Sequence, residues 1–384
     1  MKKNLLQILS YILVAVAATV VTLALTNQGS VTPAYDKLDQ LRALIGARFI
    51  GEVDEKAIED AAASAMVEAL GDRWSHYMTV EDYAAYQEQM KNAYVGVGMT
   101  VQLNEDGYVR VLRVEAGGPA EEAGVLAGDE LIAVEGQDIR DWDIDETKNH
   151  VRGEAGTQVQ LTFRREGETV ILAVERRLVQ TQVARYEMLE DNIGLVTIVN
   201  FDSRCADETI AAIEALLQQG AEALIFDVRN NPGGYKEELV KILDYLLPEG
   251  DLFHSVLYNG TQEVDTSDAK CLDIPMAVLA NGNSYSAAEF FAAALVEYEA
   301  ATYVGQPTTG KGRFQTTFQL ADGSAATISI GAYTTPKGVD LTDVGLTPDV
   351  LVELDDEMVL EIYYGNVPAS EDPQIQKAVE ILTK

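Results

Sequence analysis

Residues 280–315 read ANGNSYSAAEFFAAALVEYEAATYVGQPTTGKGRFQ, and the interpretation of the whole chain turns on this stretch. Met276 to Ala280 is an apolar run, Asn281 to Ser286 a tight polar turn, and Ala287 to Tyr298 a helix-forming segment. A small nucleophile on a strand-to-helix turn has its hydroxyl exposed above a helix N-terminus. Backbone N–H groups there have no intrahelical partner and can bind a developing oxyanion. Ser286 is therefore the candidate nucleophile. Beyond the helix lie a short apolar run, Thr302 to Val304, and a lysine between two glycines, Gly310-Lys311-Gly312.

A serine needs a base. The chain has 3 histidines. His76 falls in a helical segment and His150 in a strand-rich region. His254 lies on an apolar strand, where a lone histidine is more often structural. No His-Glu-x-x-His helix is present, which argues against a zinc hydrolase. Lys311 is the remaining candidate. A lysine acts as a general base only when neutral, so it must be desolvated and its pKa lowered. Glycine neighbours would let it pack closely against backbone. If the segment is extended, Gln315 shares a face with Lys311 and could orient its amine. On spacing alone, a solvated turn lysine explains the pattern equally well.

Composition limits the alternatives. The chain has 384 residues and a formal charge of −34, room for two or three domains with no basic stripe to neutralise phosphates. Nucleic-acid partners are excluded on that ground, and no motif calls for a cofactor. Lys2 and Lys3 precede Leu5 to Leu25, an uncharged stretch long enough to span a bilayer. The expectation is a single-pass anchor at residues 1–30 that places everything after Asn27 outside the cytoplasm. A cleaved signal peptide is the rival and has the same topological outcome. Cys205 and Cys271 are too few for a disulfide framework, although they could pair in an oxidising compartment.

Along the chain, residues 31–92 read as a helical arm, with Leu38, Leu41, Leu44 and Ile45 at helical spacing and a capping pattern headed by Thr79. Residues 93–178 change to short strands: Val95 to Val101, Tyr108 to Val114, Glu130 to Val134 and Gln158 to Arg164. Gly117 to Gly136, reading GGPAEEAGVLAGDELIAVEG, resembles a PDZ domain, with a short helix entered at Pro119. A second helix is expected from Asp141 to Val151. The turn Gly96-Val97-Gly98 would then present N–H groups to a peptide's terminal carboxylate. Arg152, just past the second helix, is either a helix C-terminal charge or a contact between this module and the rest of the chain. From residue 179 strands alternate with helices, which argues for an α/β domain running to 384. In it, Arg229-Asn-Asn-Pro-Gly-Gly links a buried strand to a helix and suits close backbone approach to a ligand oxygen. The spacing matches neither phosphate-binding pattern, so a nucleotide site is excluded.

Taken together, four segments resemble the C-terminal processing peptidases, or tail-specific proteases. They are Phe226 to Gly234, Asn281 to Glu289, Val304 to Gly312, and Pro336-Lys-Gly before Pro348-Asp. The likeness runs from about Tyr35 to the C-terminus. It implies a crotonase/ClpP-like α/β core, within a multi-domain α+β chain, carrying an inserted PDZ domain and a helical N-terminal arm. It further implies a serine endopeptidase with a Ser-Lys dyad: Ser286, rather than Ser284, as nucleophile, Lys311 as base and Gln315 four positions on. The oxyanion hole would use the N–H of Ala287 with that of Gly233, or of its neighbour Gly234. Substrates would be protein or peptide tails bound by the PDZ groove, and the last helix could join a homodimer interface. Two residues depart from the family pattern: Tyr285 stands where alanine is usual, and Val228 where leucine is usual. The first flanks the nucleophile and bears on substrate preference. A membrane-tethered PDZ adaptor without catalysis, and acyl-CoA chemistry on the same fold, are the readings the dyad competes with.

Overall fold

The computed structural model describes residues 36–90, 92–104 and 106–384. The apolar stretch at Leu5 to Leu25 lies outside the described residues, and among those described no helix is long and apolar enough to cross a membrane. The chain divides into residues 1–65 and 66–384. Helix α1 (Asp36–Arg48) and most of α2 (Glu55–Glu68) belong to the first unit. Arg42 pairs with Glu55 and Glu59 at 2.8 Å, on exposed surface where such pairs add little.

The second unit opens with strand β1 (His76–Met78) and helix α3 (Val80–Met90). Thr79 caps α3: its hydroxyl accepts from the Asp82 N–H at 3.1 Å, and the Asp82 carboxylate accepts from that hydroxyl. The short strand β1 interrupts what the sequence pattern shows as helix. It is held by pairing with residues 325–327, far along the chain, and so leaves no local periodicity.

Strands β2 (Ala93–Gly96) and β9 (Arg177–Gln180) form an antiparallel stem. Between them lie β3 (Met99–Leu103), β4 (Val109–Val114), helix α4 (Pro119–Glu122), β5 (Glu130–Val134), β6 (Gln137–Asp138), helix α5 (Ile144–Val151), β7 (Gln158–Arg165) and β8 (Glu168–Glu175). The sheet order β3-β4-β5-β7-β8 leaves β3 on an edge. Its core holds Val109, Val111, Leu131, Leu161 and Phe163, the alternate residues of strands buried on one face. Asp143 caps α5 by accepting from the N–H groups of Asp145 and Glu146.

The rest of the chain runs β10 (Ala184–Met188), β11 (Ile193–Ile198), helix α6 (Cys205–Gln218), β12 (Ala223–Asp227), helix α7 (Lys236–Leu246), β13 (Gly250–Leu257), β14 (Gln262–Ser267), β15 (Met276–Ala280), helix α8 (Ala287–Glu297), β16 (Ala301–Gly305), β17 (Arg313–Gln319), β18 (Ala325–Thr334), β19 (Val350–Leu351), helix α9 (Asp356–Tyr364) and helix α10 (Pro373–Leu382). One sheet, β10-β11-β12-β15-β16-β19, is parallel from β11 onward. The other joins β1, β18, β13, β14 and β17 in antiparallel pairing. β12 and β15 are buried along their whole length, the continuous apolar signature of a strand covered on both faces. Helix α8 is buried from Ala287 to Leu295 and is apolar almost all round, so it sits inside the core rather than upon it. Cys205 is buried, Cys271 exposed, and both are free thiols.

Candidate active site

Three loops converge because their parent strands β12, β15 and β16 are adjacent and parallel, so all leave at the C-terminal edge where α/β sheets bind ligands. The first is the Pro-Gly-Gly turn after β12, the second the Ser286 turn after β15, and the third the lysine loop after β16.

The serine turn is the most constrained. Ser286 has φ 56° and ψ −129°, a left-handed conformation that a non-glycine residue adopts only when its surroundings impose it. Ser284 is fully buried: its hydroxyl donates to the Val228 carbonyl at 2.7 Å and accepts from the Asn281 N–H at 3.0 Å. It is a structural brace, which leaves Ser286 as the serine at the cleft. The turn is stapled to its neighbour by Asn230, whose side-chain oxygen accepts from Asn281 and Asn283 at 3.0 and 2.9 Å. Gly233 packs so closely that a β-carbon on it would come within 2.7 Å of the Ser286 β-carbon and 2.8 Å of the Ala287 nitrogen. No other residue fits there. Its own N–H donates to the Asn231 side chain at 2.8 Å, whereas that of Gly234 has no acceptor among the described residues. Ala287 is the first residue of α8, so its N–H has no intrahelical partner.

The lysine loop is tied back onto α8 by Glu289, a buried carboxylate the sequence reading passed over. It accepts from the N–H groups of Gly310 and Lys311 at 2.8 and 2.9 Å and from the Thr308 hydroxyl. Burial raises its pKa, and those donors pull it partly back. Both glycines flanking Lys311 pack where no side chain fits: β-carbons would meet the Gly345 nitrogen at 2.8 Å and the Thr342 hydroxyl at 2.0 Å. Lys311 is accordingly desolvated. Burial pushes its amine down to about 8, against the opposing pull of Asp72 and Glu289. Among the described residues its Nζ has no hydrogen-bond or ion-pair partner; it lies 4.6 Å from the Trp74 ring centre and 5.6 Å from that of Tyr285.

Ser286, Lys311, Gln315, Gly233 and Gly234 line one cleft of about 490 Å³, with Trp74, His76 and Tyr285 on its walls. A second cavity of about 360 Å³ opens beside it, lined by Leu239, Phe253, Phe314 and Tyr333 and shared at Ser286 and Gln315. Consecutive residues Phe314 and Gln315 both reach the cleft because a register shift between them breaks the alternation of β17. Gln315 donates its amide to Ser329 Oγ at 2.9 Å and to the Arg313 carbonyl at 3.1 Å. The Tyr333 hydroxyl, buried without a hydrogen-bond partner, faces Ser286. His254 lines neither cavity; its Nε2 is 3.3 Å from Asp251. A Ser-His-Asp arrangement is therefore not assembled around it. Among the described residues no cluster could hold a metal ion.

A third cavity, of about 330 Å³, lies between the free edge of β3 and α5, lined by Gly96, Val97, Met99, Val101, Thr147, Lys148, Val151 and Arg152. Gly98 adopts φ +80° beside it. An exposed strand edge beside a helix is the geometry that adds an extended peptide as one more strand. The Arg152 guanidinium stacks on Tyr94 at 5.4 Å.

The comparisons agree with this architecture. Peptidase family S41 matches residues 192–352, and a PDZ domain matches residues 110–165. Over 368 residues the chain is 30% identical to the carboxy-terminal processing protease CtpA of Bacillus subtilis, covering 93% of this chain and 79% of that protein. Over 330 residues it is 30% identical to the carboxyl-terminal-processing protease of Synechocystis sp., covering 84% and 76%. A solved structure from Bacteroides fragilis, described as an S41 protease candidate, shares the fold with a TM-score of 0.60 at 16% identity, over 83% of this chain and 90% of that one. The fold and comparisons together define a serine-type peptidase with a PDZ domain. The chain belongs to peptidase family S41, among its carboxyl-terminal processing proteases.

Proposed function

We propose that Ser286 and Lys311 form the catalytic dyad of this protease and that its substrates are protein tails delivered along the PDZ groove. The observation that carries the reading is the lysine: a desolvated amine with a depressed pKa, sharing a cleft with a serine in a strained turn. Neutral Lys311 takes the Ser286 proton as the hydroxyl oxygen attacks the scissile carbonyl carbon. The N–H groups of Ala287 and Gly234 receive the oxyanion; Gly233 is set aside because its N–H already serves Asn231. The protonated lysine returns its proton to the leaving amine, and water then attacks the acyl-serine to release the acid. Gln315 helps once its amide turns from Ser329 toward Lys311.

In the PDZ groove the N–H groups of the Gly96 to Gly98 turn would hold the tail's carboxylate, with Arg152 at its rim. Lys2, Lys3 and the apolar Leu5 to Leu25 support a membrane tether with the protease outside the cytoplasm. The exposed Leu38, Leu41 and Leu44 of α1 suit a homodimer contact. The test is cleavage of an unfolded protein by the fragment after Asn27. Ser286→Ala should abolish it, by about 10⁴-fold or more, with the circular dichroism spectrum unchanged. Retained cleavage would refute the assignment.

A further inference from the structure

The base is held by aromatic rings rather than by polar partners. Trp74 and Tyr285 lie 5.4 Å apart at an interplanar angle of 38°, forming a corner, and Lys311 Nζ sits within 6 Å of both ring centres. Ring faces attract a cation through their quadrupole and offer a neutral amine only dispersion. The corner therefore favours the ammonium, whereas burial favours the amine. Tyr285 immediately precedes the nucleophile, and its backbone is fixed: its N–H donates to the Asn231 carbonyl at 3.2 Å. The ring is thus aimed by the same turn that strains Ser286.

We propose that Tyr285 and Trp74 are positioning residues that hold Lys311 in its protonated form away from Ser286. The amine leaves their corner for the serine hydroxyl as it gives its proton to water. This rests on the dyad reading above. The other charged or titratable groups that face the amine are few. Asp72 and Arg73 stand on the Trp74 segment, with the Arg73 guanidinium also 4.6 Å from the Trp74 ring centre. Glu289 approaches from α8, Arg313 from the start of β17, where it lies 3.8 Å from Asp72, and His76 and Asp202 from the cleft wall. The Tyr285 phenol itself is kept neutral by burial. None of these is changed by substituting a ring.

The test is the pH dependence of kcat/KM. Tyr285→Leu keeps the apolar volume and removes the quadrupole, so the acid limb should move down by about half to one pH unit. Trp74→Leu should move it at least as far, and Tyr285→Phe should leave it in place. A limb unmoved in both leucine variants, or moved as far by phenylalanine as by leucine, would overturn the proposal. Titrating the amine by lysine side-chain NMR in the Ser286→Ala background reads the same shift without turnover. That separates a failed cage from a failed dyad, because in the second case the amine shifts and the activity profile does not follow it.

Discussion

Two cations, Arg229 buried and Lys311 half-buried, stand on loops at the same edge of one sheet, and their surroundings differ completely. Arg229, after β12, reaches Asp227 at 2.6 Å, Asp372 at 2.8 Å and Gln374 at 3.0 Å. Burial works against its charge, but the two carboxylates overcome this and hold the guanidinium above its ordinary value. Lys311, after β16, lies against ring faces and makes no ion pair among the described residues; Asp72 and Glu289 favour its charge, but burial prevails. One cation ties α10 to the sheet and is locked on. The other is poised to lose its proton near physiological pH. Pairing makes a cation structural, and withholding the pair makes it reactive.

Removing each charge should therefore do opposite things. Lys311→Met should lower turnover by about 10⁴–10⁶-fold while stabilising the fold by about 1–3 kcal/mol near neutral pH, since it removes a partly desolvated charge without an ion-pair partner. Unfolding by denaturant at pH 7 and activity on one substrate check both halves. The same logic fixes a sign for the parent chain. Its lysine pKa falls from 10.5 unfolded to about 8 folded, so the unfolded state binds more protons between those values. Stability should rise by that contribution as pH passes from about 8 to 10.5, and this rise should vanish in Lys311→Met. Arg229→Met should instead cost about 3–5 kcal/mol, because it leaves Asp227 and Asp372 buried without their cation. Its midpoint in denaturant should fall without comparable loss of turnover per folded molecule. Glu289→Gln should have the smallest effect, about 10–100-fold in kcat, because its amide turns a donor toward the Lys311 N–H and loosens the base by a fraction of an ångström. Its stability should change by less than that of Arg229→Met.

Much of this arrangement was legible in the chain itself. The serine turn, the flanking glycines and the Pro-Gly-Gly turn each carry a local signature, because strained backbone and close packing demand particular residue types. The choice between Ser284 and Ser286 rests on family likeness; in the structure the Ser284 hydroxyl is engaged by Val228 and Asn281, while Ser286 lines the cleft. What stayed hidden was long-range. Trp74 lies more than two hundred residues from Lys311, and nothing in its own segment points there. β1 is strand only because β18 accepts it. Alternation placed Lys311 and Gln315 on one face, and both line one cleft, yet the Gln315 amide is turned to Ser329 rather than to the amine. Asn231's hold on the Gly233 N–H could not be read from a Pro-Gly-Gly spacing.

The central claim is that Lys311 activates Ser286, and labelling by a fluorophosphonate tests it directly. Mass spectrometry should place the adduct on Ser286, with a labelling rate that rises through about pH 8 in the parent chain and collapses in Lys311→Met. Labelling of Lys311→Met at the parent rate, or an adduct on another serine, would contradict the account.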